Sequence, residues 1–86
     1  MVRVELYGLP RHRAGLSQLE VEAGTLGELC GELGAQAPAL RGVCLSEAGL
    51  ANGYLANLNG RRFVSDPATR LQPGDCVLIL SADVGG

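Results

Sequence analysis

Residues 54–64 read YLANLNGRRFV, in which Asn59-Gly60 separates two short strand-like runs. Both central positions of a two-residue hairpin turn need φ > 0, and the Asn-Gly pair meets that need while matching the twist of the flanking strands. The pair therefore places strands over residues 54–58 and 61–64. It also commits this part of the chain to an antiparallel sheet.

The remaining segments supply more of that sheet and a helix to cover it. Val2, Val4 and Leu6 alternate with Arg3 and Glu5, the period of a half-buried strand. Leu19 and Val21 alternate with Glu20 and Glu22 in a second. Residues 7–17, with Gly8, Pro10 and Gly15 around Arg11, His12 and Arg13, read as a long loop joining the two. Thr25 followed by Glu28 is a capping-box pattern. Behind it Leu26, Leu29, Cys30 and Leu33 recur at i, i+3, i+4 and i+7 as one apolar helical stripe, and Gly34 and Pro38 mark the stop. Residues 39–53 carry no firm signal, and Leu40, Val43, Leu45 and Leu50 are expected to patch a short strand or turn against the core. Turns at residues 65–67 and 71–75 precede CVLIL at 76–80, a continuous apolar run suited to a central strand covered on both faces. The order is strand, strand, helix, an undefined segment, then three strands, with neither repeat nor linker. It predicts one α+β domain over residues 1–86, a mixed sheet curled around one main helix in the β-grasp order.

Composition narrows the function. An 86-residue chain has room for one sheet and one or two helices. No apolar run reaches the roughly 18 residues that cross a bilayer, and the N-terminus lacks the apolar core and cleavage site of a signal peptide. A cytoplasmic protein without membrane contact is expected. Cys30, Cys44 and Cys76 are odd in number and far apart, so neither a disulfide framework nor a metal site is expected. They also lack the C-x₄-C-x₂-C run of a plant-type ferredoxin. Seven arginines against nine acidic residues leave a net charge of −2, which offers nucleic acid no basic stripe and suits a protein partner better. There is no lysine, hence no side-chain amine that an activated terminus of the same chain could acylate. His12 is the only histidine and reads as a surface loop residue. Ser17, Ser46, Ser65 and Ser81 have no base beside them in sequence, which argues against a free-standing enzyme. No G-x-x-x-x-G-K-[ST] loop is present, so no bound nucleotide or other cofactor is expected of the chain alone.

What chemistry the sequence does offer lies at Gly85-Gly86. Glycine has no Cβ, so such residues can thread a channel too narrow for a side chain and present the terminal carboxylate to another enzyme. The 54–64 block, LQPGDCVLIL at 71–80 and VGG at 84–86 together resemble the ThiS/MoaD sulfur-carrier family of ubiquitin-like β-grasp proteins, over essentially the whole chain. The length and the segment between Pro38 and Gly53 look more like the molybdopterin synthase small subunit than the shorter thiazole-synthesis carrier. The resemblance implies that Gly86, with Gly85 beside it, is adenylated by a ubiquitin-activating-type enzyme using MgATP. A persulfide donor then converts it to a thiocarboxylate, and a molybdopterin synthase large subunit takes the sulfur. Carriers for thiamine, cysteine or tRNA thiolation, and modifiers joined through Gly86 to lysines of other proteins, would share tail and fold. Asp83 departs from the small or apolar residue expected shortly before the diglycine. Residues 81–86 are expected to form an extended, flexible tail, reaching roughly 20 Å. Tyr54, Leu55 and Phe63, with Val84 in the tail, are the candidate partner-binding residues, although the first three would serve equally well as core.

Overall fold

The computed structural model describes residues 1–82. Alternation governs the first strand, β1 (Val2–Leu6), whose Val2, Val4 and Leu6 are buried while Arg3 faces out. It pairs antiparallel with β2 (Gln18–Val21), Val2 opposite Val21 and Val4 opposite Leu19. The expected long loop between them folds in part as a helix, α1 (Leu9–Ala14). Pro10 stands in its first turn and Gly15 closes it in the left-handed region at φ 74°, its N–H bonded to Arg11 O. That is the proline-in, glycine-out asymmetry of a helix.

The main helix, α2 (Leu26–Gln36), opens as anticipated. Thr25 Oγ1 accepts from Glu28 N at 3.2 Å, and Glu28 Oε1 accepts from Gly24 N at 2.8 Å, so two otherwise orphaned donors are satisfied reciprocally. The helix does not stop at Gly34. It runs to Gln36, and Gly34 is buried where a Cβ would stand 3.1 Å from Arg41 Nε; this glycine makes room for a crossing arginine instead of ending the helix. Pro38 then starts a 3-10 turn (Pro38–Leu40). The undefined segment beyond it contains a small hairpin, β3 (Leu45–Ser46) with β4 (Gly49–Leu50). Leu40 and Leu45 are buried, and Val43 and Leu50 pack half-buried against the core.

The Asn59-Gly60 turn joins β5 (Tyr54–Leu58) to β6 (Arg62–Val64), with Asn59 at φ 58° and Gly60 at φ 71°. Asn59 is also a clamp. Its Oδ1 accepts from Cys76 N at 2.8 Å and its Nδ2 donates to Asp75 Oδ1 at 3.0 Å. Asp75, which also accepts from Gln72 N at 2.8 Å, has its carboxyl held below the ordinary value by that backbone donor first and by Asn59 second. The last strand, β7 (Cys76–Ser81), runs parallel to β1 and antiparallel to β5, giving the order β2-β1-β7-β5-β6.

The core lies between this sheet and α2. Val2, Val4, Leu6, Ala56, Leu58, Val77 and Ile79 from the inner face meet Leu26, Leu29, Cys30 and Leu33 of α2 in one cluster. Burying each leucine or isoleucine contributes about 1.5–3 kcal/mol. The expected mixed sheet curled around one main helix is present. One expectation fails: β7 is not covered equally on both faces. Val77 and Ile79 are fully buried, whereas Cys76, Leu78 and Leu80 on the other face are only half-buried.

Candidate functional site

Strand register sorts the proposed partner-binding residues. Asn57 pairs with both Phe63 and Leu78, and Leu55 pairs with Leu80, so these five side chains share the outer face. Phe63 is 58% exposed. Leu55, Asn57, Leu78 and Leu80 are half-buried. Tyr54 alternates with Leu55, falls on the inner face with Ala56 and Leu58, and packs against the core. The structure thus keeps Leu55 and Phe63 together and removes Tyr54 from their surface. It adds Leu78 and Leu80, which a continuous apolar run cannot distinguish from doubly buried residues.

Within this face the Asn57 Oδ1 is buried and accepts no hydrogen bond. Such an orphan costs about 1–3 kcal/mol.

Farther along the same face, Cys76 Sγ donates to Glu5 Oε2 at 3.3 Å and Tyr7 Oη donates to Glu5 Oε1 at 2.9 Å. Arg3 Nη1 lies 3.8 Å from Glu5 Oε2. The tyrosine hydrogen bond is the main reason the Glu5 carboxyl sits below its ordinary value. Partial burial, then the bond to Glu5, pushes the Cys76 thiol up. Thiolate is the nucleophilic form, so this cluster holds the sulfur protonated. Cys30 and Cys44 are buried and pushed up to about 11, chiefly by burial. No set of three or more metal-ligating side chains converges among the described residues.

A cleft of about 580 Å³ separates α2 from the β3–β4 hairpin. Its floor is the bare backbone of Gly27, Gly31 and Gly34, and its charged lining residues are Arg41 and Glu47.

The sheet leads toward the proposed reactive end. Strand pairing reaches Ser81 opposite Tyr54, and Ala82 N donates to Gly53 O at 2.7 Å. Ser81, expected to begin the tail, therefore belongs to β7. Gly86, Gly85, Val84 and Asp83 lie outside the described residues. No helix among the described residues is long and apolar enough to cross a membrane.

The architecture is the ubiquitin-like β-grasp fold. No family model and no curated protein matches the chain. Solved structures do. Small archaeal modifier protein 1 from Methanosarcina acetivorans is 23% identical, with 99% of this chain and 95% of that chain covered at a TM-score of 0.83. CysO from Mycobacterium tuberculosis is 24% identical, covering 95% and 99%, at 0.81. The complex of subunits 1 and 2 of the molybdopterin-converting factor from Helicobacter pylori contains a chain 21% identical, covering 99% and 97%, at 0.68. The fold is that of the ThiS/MoaD-type carriers to which the sequence blocks point.

Proposed function

We propose that this protein is a sulfur carrier of the ThiS/MoaD type. It acts as the small subunit of a molybdopterin synthase-type complex, and the Gly86 carboxylate is its working group. The observation that carries this reading is the whole-length likeness to such small proteins, combined with a central strand, β7, whose paired end stands directly before the sequence Asp83, Val84, Gly85, Gly86. Four residues span at most roughly 14 Å. That is shorter than a six-residue tail, so the partner's catalytic groups must come close to the body and the outer face becomes part of the docking.

A carboxylate is a poor electrophile. Its oxygen attacks the α-phosphate of ATP on a ubiquitin-activating-type enzyme that binds the Mg²⁺, pyrophosphate leaves, and the acyl-adenylate becomes open to a sulfur nucleophile. A persulfide sulfur displaces AMP; a second thiol cleaves the S–S bond and leaves the thiocarboxylate. In this reading the base, metal and nucleotide site for these steps belong to the partner enzyme. It presents its terminus and docks, then gives its sulfur to the pterin precursor on the large subunit.

Whole-length likeness to a protein named as a modifier and to CysO favours a second reading in which the same acyl-adenylate serves protein conjugation or another thiolation pathway. Intact-mass spectrometry with MgATP, a sulfur donor and the adenylating enzyme of the same cells tests the first. One oxygen replaced by sulfur at Gly86, blocked by Gly85→Val without a change in melting temperature, supports it. An unaltered mass with an enzyme proven active on its own carrier refutes it. Tagged protein expressed in its own cells separates the readings: a ladder of adducts that survives denaturant and thiol and disappears without Gly86 would make conjugation the principal function.

A further inference from the structure

The chain is acidic overall, yet its charges are segregated. Residues 6–19 contain Arg11, His12 and Arg13 and no carboxylate, and residues 48–65 contain none either. The elements that pack most against α1 are the 3-10 turn and β7, and neither carries an acid. Pro10 is buried and Ala14 half-buried, so α1 turns that edge inward and fans Arg11, His12 and Arg13 over its solvent side. All three are exposed. The ion pairs among the described residues are Met1 with Glu22 and Arg3 with Glu5, so α1 forms none with a described residue.

This cationic helix stands beside the end of β7. Tyr7 N donates to Ile79 O at 3.1 Å, and Ile79 precedes Ala82 by three residues, about 10 Å of strand. Leu9, Leu16 and Tyr7 are 44%, 40% and 42% exposed, and Tyr7 links them through Glu5 to the outer sheet face. A favourable interaction with the helix dipole accounts for cations in the last turn of α1. It does not account for the lack of acids in the 3-10 turn and β7, and the carboxylate nearest along the chain, Glu5, is already engaged by Tyr7, Cys76 and Arg3.

We infer that α1 is a cationic docking element: Arg11 and Arg13 engage carboxylates on the protein that receives the C-terminal residues, beside the mouth through which those residues pass. This rests on the carrier reading. The occupant is an acidic protein surface, since a net charge of −2 and two arginines give little hold on a polyanion whose binding scales with the phosphates neutralised. Exposed cations facing carboxylates raise the rate of encounter and orient the carrier, and the effect fades as salt shortens the screening length from about 10 Å at 0.1 M to about 3 Å at 1 M.

The test compares wild type, Arg11→Gln with Arg13→Gln, and Arg70→Glu, which changes the net charge by the same amount at a residue bridged to Thr25 before α2. Each is assayed for thiocarboxylate formation by the adenylating enzyme of the same cells with MgATP, across a salt series, after circular dichroism has shown equal folding. The expected result is a several-fold to about tenfold higher KM for the double variant at low salt, an unchanged kcat, convergence with wild type at high salt, and an unchanged KM for Arg70→Glu. Equal KM values for all three, or equal losses for both variants, overturn the assignment to α1 while leaving the carrier reading intact. Binding of a labelled oligonucleotide that the double variant loses, with KM unaltered, overturns the choice of a protein occupant. Failure of wild type to form thiocarboxylate overturns the carrier reading and this inference with it.

Discussion

Replacing Gly31 by alanine should stabilise the domain and replacing Gly27 should destabilise it, although both stand in α2. At Gly31, mid-helix and exposed, an added Cβ meets nothing within 4 Å. The substitution therefore collects the helix preference of alanine over glycine, about 0.5–1 kcal/mol. At Gly27 the same atom would stand 3.2 Å from Pro67 Cβ and 3.3 Å from Pro67 O. That oxygen already accepts from Gly27 N at 2.9 Å, and Leu26 N is bonded to Thr69 O at 2.9 Å. Relief requires the loop to withdraw and both bonds to lengthen. Overpacking of this kind costs about 1–3 kcal/mol, against which the alanine gain is the smaller term, leaving a net loss of about 1–2 kcal/mol. For a domain of this size each kcal/mol moves Tm by about 4–8 °C. Thermal unfolding followed by far-ultraviolet circular dichroism should show Gly31→Ala higher by about 2–8 °C and Gly27→Ala lower by about 4–16 °C. Shifts of the same sign and similar size would refute the argument that clearance at the backbone decides the outcome.

Three other substitutions and two measurements bear on the remaining features. Asn59→Gly relieves the positive φ yet removes both clamp hydrogen bonds, and urea unfolding should show a net loss of about 1–2 kcal/mol; unchanged stability would mean that the clamp contributes nothing. Phe63→Arg should alter stability by less than about 0.5 kcal/mol while weakening partner binding by about tenfold or more, measured by calorimetry; Tyr54→Arg should instead unfold the domain. Alkylation at mildly alkaline pH should modify Cys76 before the other two thiols, which react only on denaturation. Because Cys30 and Cys44 lie near 11 in the folded chain against an ordinary 9.0, their contribution to stability is fully present below pH 9.0 and is lost as the pH rises through 11. Stability that holds steady across that window would contradict their burial as neutral thiols.

Where one physical term dominates a segment, the sequence states the structure. The alternation of β1, the Thr25 and Glu28 cap and the Asn59-Gly60 turn each depend on neighbours a few residues away, and each is found as expected. Elements set by distant contacts are harder to read. A six-residue helix has too few hydrogen bonds to hold itself, so α1 exists because the 3-10 turn and β7 support it; Pro10 and Gly15 are its only local signature. The β3–β4 hairpin has two residues per strand, below the length at which a period can be seen. Leu78 and Leu80 look like core because an apolar run does not reveal that a sheet is covered on one side only. For the same reason Tyr54 and Phe63 cannot be separated until the register with β7 assigns each a face. The reading of the diglycine rests on the sequence alone, because residues 83–86 lie outside the described residues.

The position of β7 has a mechanical consequence. A partner that grips the outer face and draws on the chain beyond Ala82 pulls along a strand bonded on both sides, to β1 in parallel and to β5 antiparallel. The load then falls on two ladders of hydrogen bonds in shear, where many must break together, whereas a strand at the sheet edge could be peeled away bond by bond. The force needed to extract β7 is accordingly far higher than for β2 or β6, and resistance to pulling is a property of the unfolding rate more than of equilibrium stability. In the proposed carrier role the body would thus hold the end of β7 fixed at Ala82 against such a pull, without unravelling.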